Sequence, residues 1–180
     1  MSKSRMIKIT CPKCNKESKF RIWESINTQL DPDLKSAVRD QSAFSFECPY
    51  CGKRHSIYYG FLYHQMEDNM MIHCVTSDKE FQEVMDLYNG ENSKIMNDLL
   101  NVVQSREALL EKLSIFDAGL DDRIIELMKL LYLDQFREEA GDKNLDSIYF
   151  VNSESKKTIE FVYDGHIVAQ CDFNEKIYSK

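Results

Sequence analysis

Three features of the chain predict an α+β fold. Two near-identical cysteine loops, CPKCNK at residues 11–16 and CPYCGK at 48–53, each follow a run of alternating apolar and polar residues. After Ser77 the apolar spacing turns helical, and from residue 145 onward it returns to β-branched and aromatic runs. The architecture expected is an N-terminal four-cysteine zinc ribbon with a small antiparallel sheet, followed by a helical segment and a C-terminal β-hairpin or three-stranded sheet. The corresponding divisions are 1–77, 78–144 and 145–180, packed as one or two domains.

The elements follow in order. MIKIT (6–10) alternates into the first cysteine loop, and KFRIWESI (19–26) is an aromatic and β-branched strand after it. Asp31-Pro32-Asp33 has the form of a helix start, with Asp31 as N-cap and Pro32 at the first helical position, for a short helix to about Ala37 and Val38. SAFSFE (42–47) alternates into the second loop. HSIYYGFLYH and NMMIHCV read as strands separated by the polar stretch Gln65–Asp68. A helix is expected over 78–88, closed by Asn89-Gly90, and another from Ile95, Met96, Leu99, Leu100 and Val103. Leu109, Leu110, Leu113 and Phe116 make the next stripe; Ile124, Leu127, Met128 and Leu131 make the last. Ser105 and Asp121 are candidate N-caps and Gly119 a candidate C-terminal stop. SIYFVN, TIEFVY and HIVAQCDF are strands, with Asp164-Gly165 as a two-residue hairpin turn.

The cysteine loops carry the chemistry. Each CxxC turn offers two inward-pointing thiolates, so Cys11, Cys14, Cys48 and Cys51 together complete a tetrahedral zinc shell. Asn15 and Gly52, which follow the second cysteine of each loop, tolerate the left-handed backbone that such a turn requires. Two of the three prolines lie inside the loops, where they restrict the turn. Four thiolates around a divalent ion leave a formal charge of about −2, for which Lys13, Lys16, Lys53 and Arg54 are nearby counter-charges. A closed four-cysteine shell has no open position for water or substrate, so a structural zinc is expected. The same donors can hold rubredoxin-like iron, but no flavin or nucleotide motif accompanies them. Cys74 and Cys171 are isolated and read as small apolar side chains.

Charge is unevenly spread. Residues 1–60 hold eleven Lys/Arg against six Asp/Glu, and the other 120 hold twelve against twenty-four, within a net charge of −7. No secretory signal or membrane span is read, so the expected location is the cytoplasm, with no membrane partner.

ITCPKC, WESIN, DPDLK, FSFECPYCG and YYGFLYHQMEDNMMI together resemble the CpXC-domain family, and SREALLEKLSIFDAGLDDRIIELMK is similar to the segment that follows in longer members, so the likeness covers roughly 7–130. The resemblance implies metal ligation by the four cysteines and supplies no catalytic residues. It also implies that relatives often carry Asp where this chain has Gln65.

Three functions are weighed against that background. The first is a non-enzymatic zinc-binding adaptor that meets a protein partner through its acidic helical region. The second is single-stranded nucleic-acid binding by the basic ribbon, with Phe20, Trp23, Tyr50, Tyr58 and Tyr59 available to stack bases; the bland reading is that these rings fill a core. The third is an enzyme built on His64, His73, Cys74, Glu67 and Asp68, the one concentration of reactive types. Residues 106–126 also mimic a helix-turn-helix, but with three basic against six acidic side chains they would repel DNA.

Overall fold

The computed structural model describes residues 2–89, 99–140, 145–153 and 155–178. The chain divides into two units, Met1–Leu109 and Leu110–Lys180, and the mixed α+β class is as expected.

In the first unit, β1 (Lys3–Thr10) and β2 (Glu17–Asn27) form an antiparallel hairpin with the first cysteine loop as its turn. The chain then makes an excursion through α1 (Asp33–Arg39), a 3-10 turn at Ser42–Phe44, and a two-stranded sheet of β3 (Ser45–Glu47) and β4 (Arg54–Ser56) whose turn is the second loop. It returns as β5 (Phe61–Gln65), which pairs parallel to the end of β2 and antiparallel to β6 (Met70–Cys74). After α2 (Asp78–Asn89), β7 (Leu99–Val103) adds parallel to β6, giving the order β1-β2-β5-β6-β7. The core of this unit includes Ile22, Ile26, Val38, Phe44, Phe61, Tyr63 and Ile72.

Several sequence expectations are corrected. Leu99–Val103 is a strand, not a helix, and Ile95 and Met96 lie outside the described residues, as does Gly90. A five-residue apolar run cannot distinguish the two states by itself, and its valines find a full parallel ladder on β6. SAFSFE coils through its first half, so only Ser45–Glu47 is extended. HSIYYGFLYH is two strands in different sheets, interrupted before Gly60, where a Cβ would stand 3.3 Å from the Cys74 carbonyl oxygen. The Asp31 side chain caps no helix; its carboxylate accepts from the Ser2 N–H at 3.3 Å.

α3 (Arg106–Asp117) carries the chain into the second unit, which contains α4 (Asp122–Ala140), β8 (Ser147–Asn152), β9 (Lys157–Tyr163), β10 (His166–Asp172) and a short α5 (Glu175–Tyr178) that the sequence reading missed. The caps are as expected: the Ala108 N–H donates to Ser105 Oγ at 3.0 Å and the Arg123 N–H to Asp121 Oδ1 at 2.9 Å. Gly119, at φ 67°, ends α3 with Leu120 N–H returning to the Ile115 carbonyl. The antiparallel sheet runs β10-β9-β8, and Asp164 and Gly165, at φ 49° and 69°, turn β9 into β10. Ile115, Ile125, Met128, Tyr132, Phe150, Ile159 and Phe161 form the core. Half of the expected α4 stripe holds: Met128 is buried and Ile124 packs against the core beside Ile125 and Tyr132, while Leu127 and Leu131 are 61% and 55% exposed. Apolar residues surround this helix, so spacing alone does not choose the buried side.

Candidate metal centre

The two cysteine loops are the same turn built twice. The Cys11 N–H donates to the Lys16 carbonyl at 3.0 Å and the Asn15 N–H to the Cys11 carbonyl at 2.9 Å; Cys48, Lys53 and Gly52 repeat both bonds at 3.0 and 2.9 Å. Closing the turn requires positive φ after the second cysteine, and Asn15 and Gly52 supply 56° and 65°.

The turns bring all four predicted cysteines together. Cys11 Sγ lies 3.8 Å from Cys51 Sγ and Cys14 Sγ 3.6 Å from Cys48 Sγ, and all four sulfurs fall within 4.8 Å of one another. A tetrahedral shell with metal–sulfur distances of about 2.3 Å has sulfur–sulfur edges of about 3.8 Å. The donors thus fit one metal ion, and four sulfurs in this arrangement suit zinc or iron. The spacing is far from the roughly 2.05 Å of a disulfide, and the cysteines are free.

Electrostatics separates the thiols. Burial opposes ionisation of Cys11, yet the amides of Cys14 and Lys13 outweigh it and lower that thiol. Burial likewise pushes Cys48 up, and the amides of Tyr50 and Cys51 overcome it, leaving it at about 7. At Cys14 the Lys16 amide favours the thiolate, but burial and the neighbouring thiols prevail and raise it to about 11. In the first loop Cys11 is therefore the readier thiolate. Phe46 is buried beside Cys11 and Cys48, with Ile9, Phe20 and Ile57 against them, so one side of the centre is apolar.

His55 was missed from sequence. Its Nε2 stands 3.5 Å from Cys11 Sγ, and its ring stacks on Phe46 with centroids 6.2 Å apart. The hairpin register could have found it, because Phe46, two before Cys48, pairs with His55, four after Cys51. The first loop repeats that register as Ile9 with Ser18, whose hydroxyl is buried without a partner. Of the expected counter-charges, Arg54 is held by Glu47 at 2.7 Å and Lys16 lies 4.9 Å from the Tyr50 ring centroid.

The other candidates separate. Phe20, Phe46, Phe44, Tyr59 and Phe61 form a chain of mostly edge-on and tilted aromatic contacts, and the Tyr58 hydroxyl donates to the Val75 carbonyl at 3.1 Å. Tyr50 is exposed and Trp23 half-buried. His73 pairs across the ladder with Leu62, and His64 with Met71. His73 lines an open cleft of about 300 Å³ with Glu24, Cys74, Glu80 and Glu83, and its Nδ1 is buried without a partner. His64 is not among that lining. Burial pushes the Cys74 thiol up; Cys171 is half-buried against the second core. Lys35 pairs with Glu67 at 3.2 Å and with Asp68 at 3.5 Å. Among the described residues, the four cysteines are the one cluster of His, Cys, Asp or Glu with metal-binding spacing. Gln65 is a buried hub: its carbonyl accepts from the Tyr63 hydroxyl at 2.8 Å and from Arg39 at 3.3 Å. This chain places a neutral amide at the position.

Several acidic side chains of the helical region are paired with cations, one of them buried. Glu111 meets Lys129 at 2.6 Å with both side chains below one-tenth exposed. Glu126 joins Lys129 at 3.0 Å and Lys112 at 2.6 Å, and Lys112 also binds Asp122. Asp121 takes Arg123 at 2.6 Å, and Glu107 takes Arg106 at 2.9 Å. No described helix is long and apolar enough to cross a membrane.

A family model described as CpXC protein matches residues 9–129. No curated protein and no solved structure matches the chain.

Proposed function

Because the chain belongs to the CpXC family, we propose that it is a metal-binding, non-enzymatic adaptor in which one structural zinc, held by Cys11, Cys14, Cys48 and Cys51, fixes the two loops while the helical region meets a protein partner. The convergence of four sulfurs within 4.8 Å carries the metal part. When bound, zinc supplies folding energy and no open coordination position, since all four sites are taken by protein.

The partner part rests on α4. Asp122 and Glu126 of α4 are already paired with Lys112 and Lys129, whereas Leu127, Leu130 and Leu131 are each more than half exposed at i, i+3 and i+4. That spacing suits a helix or groove with apolar knobs of its own.

Elemental analysis of untagged protein, with its visible spectrum and a Cys48→Ser variant, tests the metal. One colourless zinc per chain, lost in the variant, is the expected result; thiolate charge-transfer bands would make it an iron protein, and no metal would end the proposal. A Leu127→Lys/Leu131→Lys variant tests the partner. A stoichiometric complex that this variant abolishes at unchanged metal content supports the adaptor, and a complex it leaves intact removes α4 from the account.

A further inference from the structure

The β1–β2 hairpin has one face toward the core and one toward solvent. Ile22, Phe20 and Ser18 lie on the inner face; Trp23, Arg21, Lys19 and Glu17 lie on the outer, opposite Ser4, Met6, Lys8 and Thr10 respectively. On the outer face Lys8 and Lys19 stand directly across from each other, and Arg21 is the next residue on that face, opposite an exposed Met6. None of these three cations forms an ion pair among the described residues. The acidic side chain of this face, Glu17, is one step nearer the cysteine loop and pairs with neither lysine.

Like charges directly opposite in a ladder destabilise it. The chain is not short of carboxylates, having 30 Asp and Glu against 23 Lys and Arg, and the same hairpin neutralises Lys3 and Arg5 with Glu24 at 2.6 and 3.1 Å. Lysine on an edge strand can guard against edge pairing, and that explains Lys8 on β1. β2 joins β5 only at Ser25–Asn27, so Lys19 and Arg21 also lie on an open stretch of edge; that role does not require three cations without ion pairs among the described residues to share one face with Trp23 next in line.

We propose that this outer face binds single-stranded nucleic acid. Lys19 and Arg21, two apart on β2, are about 6.6 Å apart along it, with Lys8 across the ladder beside Lys19, so the cations offer two successive steps for phosphates. Beyond Arg21 the same face carries Trp23, half-buried, as a ring on which a base can stack. Linear charge followed by an aromatic favours a nucleic-acid strand over an anionic lipid surface, which needs no track, and over an acidic peptide, which needs no stacking ring. The inference goes beyond the adaptor reading and uses no residue of it.

The test is titration of the metal-loaded full chain with a fluorescein-labelled oligodeoxythymidine and an oligouridine, by anisotropy and by quenching of Trp23, the single tryptophan. Three phosphate contacts give a single-strand salt slope of about −2, so a fourfold rise in salt weakens binding roughly 20-fold. A Lys8→Gln/Lys19→Gln/Arg21→Gln variant with unchanged circular dichroism and metal content should lose that salt-dependent binding and the quenching. No binding at low salt, or binding that survives in the variant, overturns the proposal. Equal binding to phosphatidylserine vesicles or polyglutamate also overturns it, showing a surface that answers only to negative charge.

Discussion

Replacing Lys129 by methionine keeps most of the side-chain volume and removes the cation from the buried pair with Glu111. The pair is 2.6 Å long, with Glu111 5% and Lys129 9% exposed, and Glu111 also accepts the Phe150 N–H at 2.5 Å. Removing one member of such a pair costs about 3–5 kcal/mol because it strands the other charge. A unit the size of residues 110–180 has an expected stability of roughly 4–10 kcal/mol, so Lys129→Met forfeits a third of it or more, and the melting temperature falls by at least about 12 °C. Burial already raises the Glu111 carboxyl, against the pull of Lys129. Without Lys129 it rises further, so the folded state keeps a proton that the unfolded state releases above about pH 4.3. The unfolded state is common to both proteins, so the deficit is smallest at acidic pH, where both folded forms keep the proton, and grows as pH rises past the parent's own raised Glu111 carboxyl toward the variant's higher one. A Glu111→Gln/Lys129→Met double variant, whose amide oxygen still accepts from Phe150, should recover most of the loss. Urea unfolding of the full chain by far-ultraviolet circular dichroism measures all three proteins, with Trp23 fluorescence as a separate report on the first unit. A single variant within about 1 kcal/mol of the parent at pH 7, or a double variant as damaged as the single, refutes the reasoning.

Other expectations are local. His55→Phe keeps the ring on Phe46 but loses the nitrogen near Cys11; metal affinity by chelator competition should fall 10- to 100-fold, and an unchanged affinity would mean that the 3.5 Å approach orients nothing. Gly52→Ala meets no atom within 4 Å, yet at φ 65° it should cost the second loop about 1–2 kcal/mol, read as weaker metal retention; a cost-free alanine would rule out a left-handed turn. Leu131→Lys should change stability by under about 0.5 kcal/mol because that side chain is exposed, and a loss of several kcal/mol on chemical unfolding would restore the helix phase that the sequence spacing favours.

What was legible in the sequence was what is local. The CPxC loops, Asn15 and Gly52, the Ser105 and Asp121 caps and the Asp164-Gly165 turn each depend on a few neighbouring residues, and all adopt the conformation their chemistry requires. What depends on distant partners was hidden. Leu99–Val103 becomes a strand only because β6 offers a ladder, and the parallel joining of β2 to β5 spans the whole second cysteine loop. The inner side of α4 is selected by Phe150, Ile159 and Phe161, which lie well downstream. At the candidate metal centre the four clustered cysteines were readable from their spacing, whereas His55 needed the register of a strand pair only three residues long.

The separation of the two loops also sets a clock on synthesis. Cys14 and Cys48 are 34 residues apart, so at about 5–20 residues per second the second pair is made roughly 2–7 s after the first. During that interval the nascent chain offers a bare dithiol, open to oxidants and to any thiophilic metal within reach. The fourth cysteine is translated before β5, β6 and β7, so both loops exist before the sheet can be completed, and a metal that met them at that stage would be selected by local supply as well as by the affinity of the finished site.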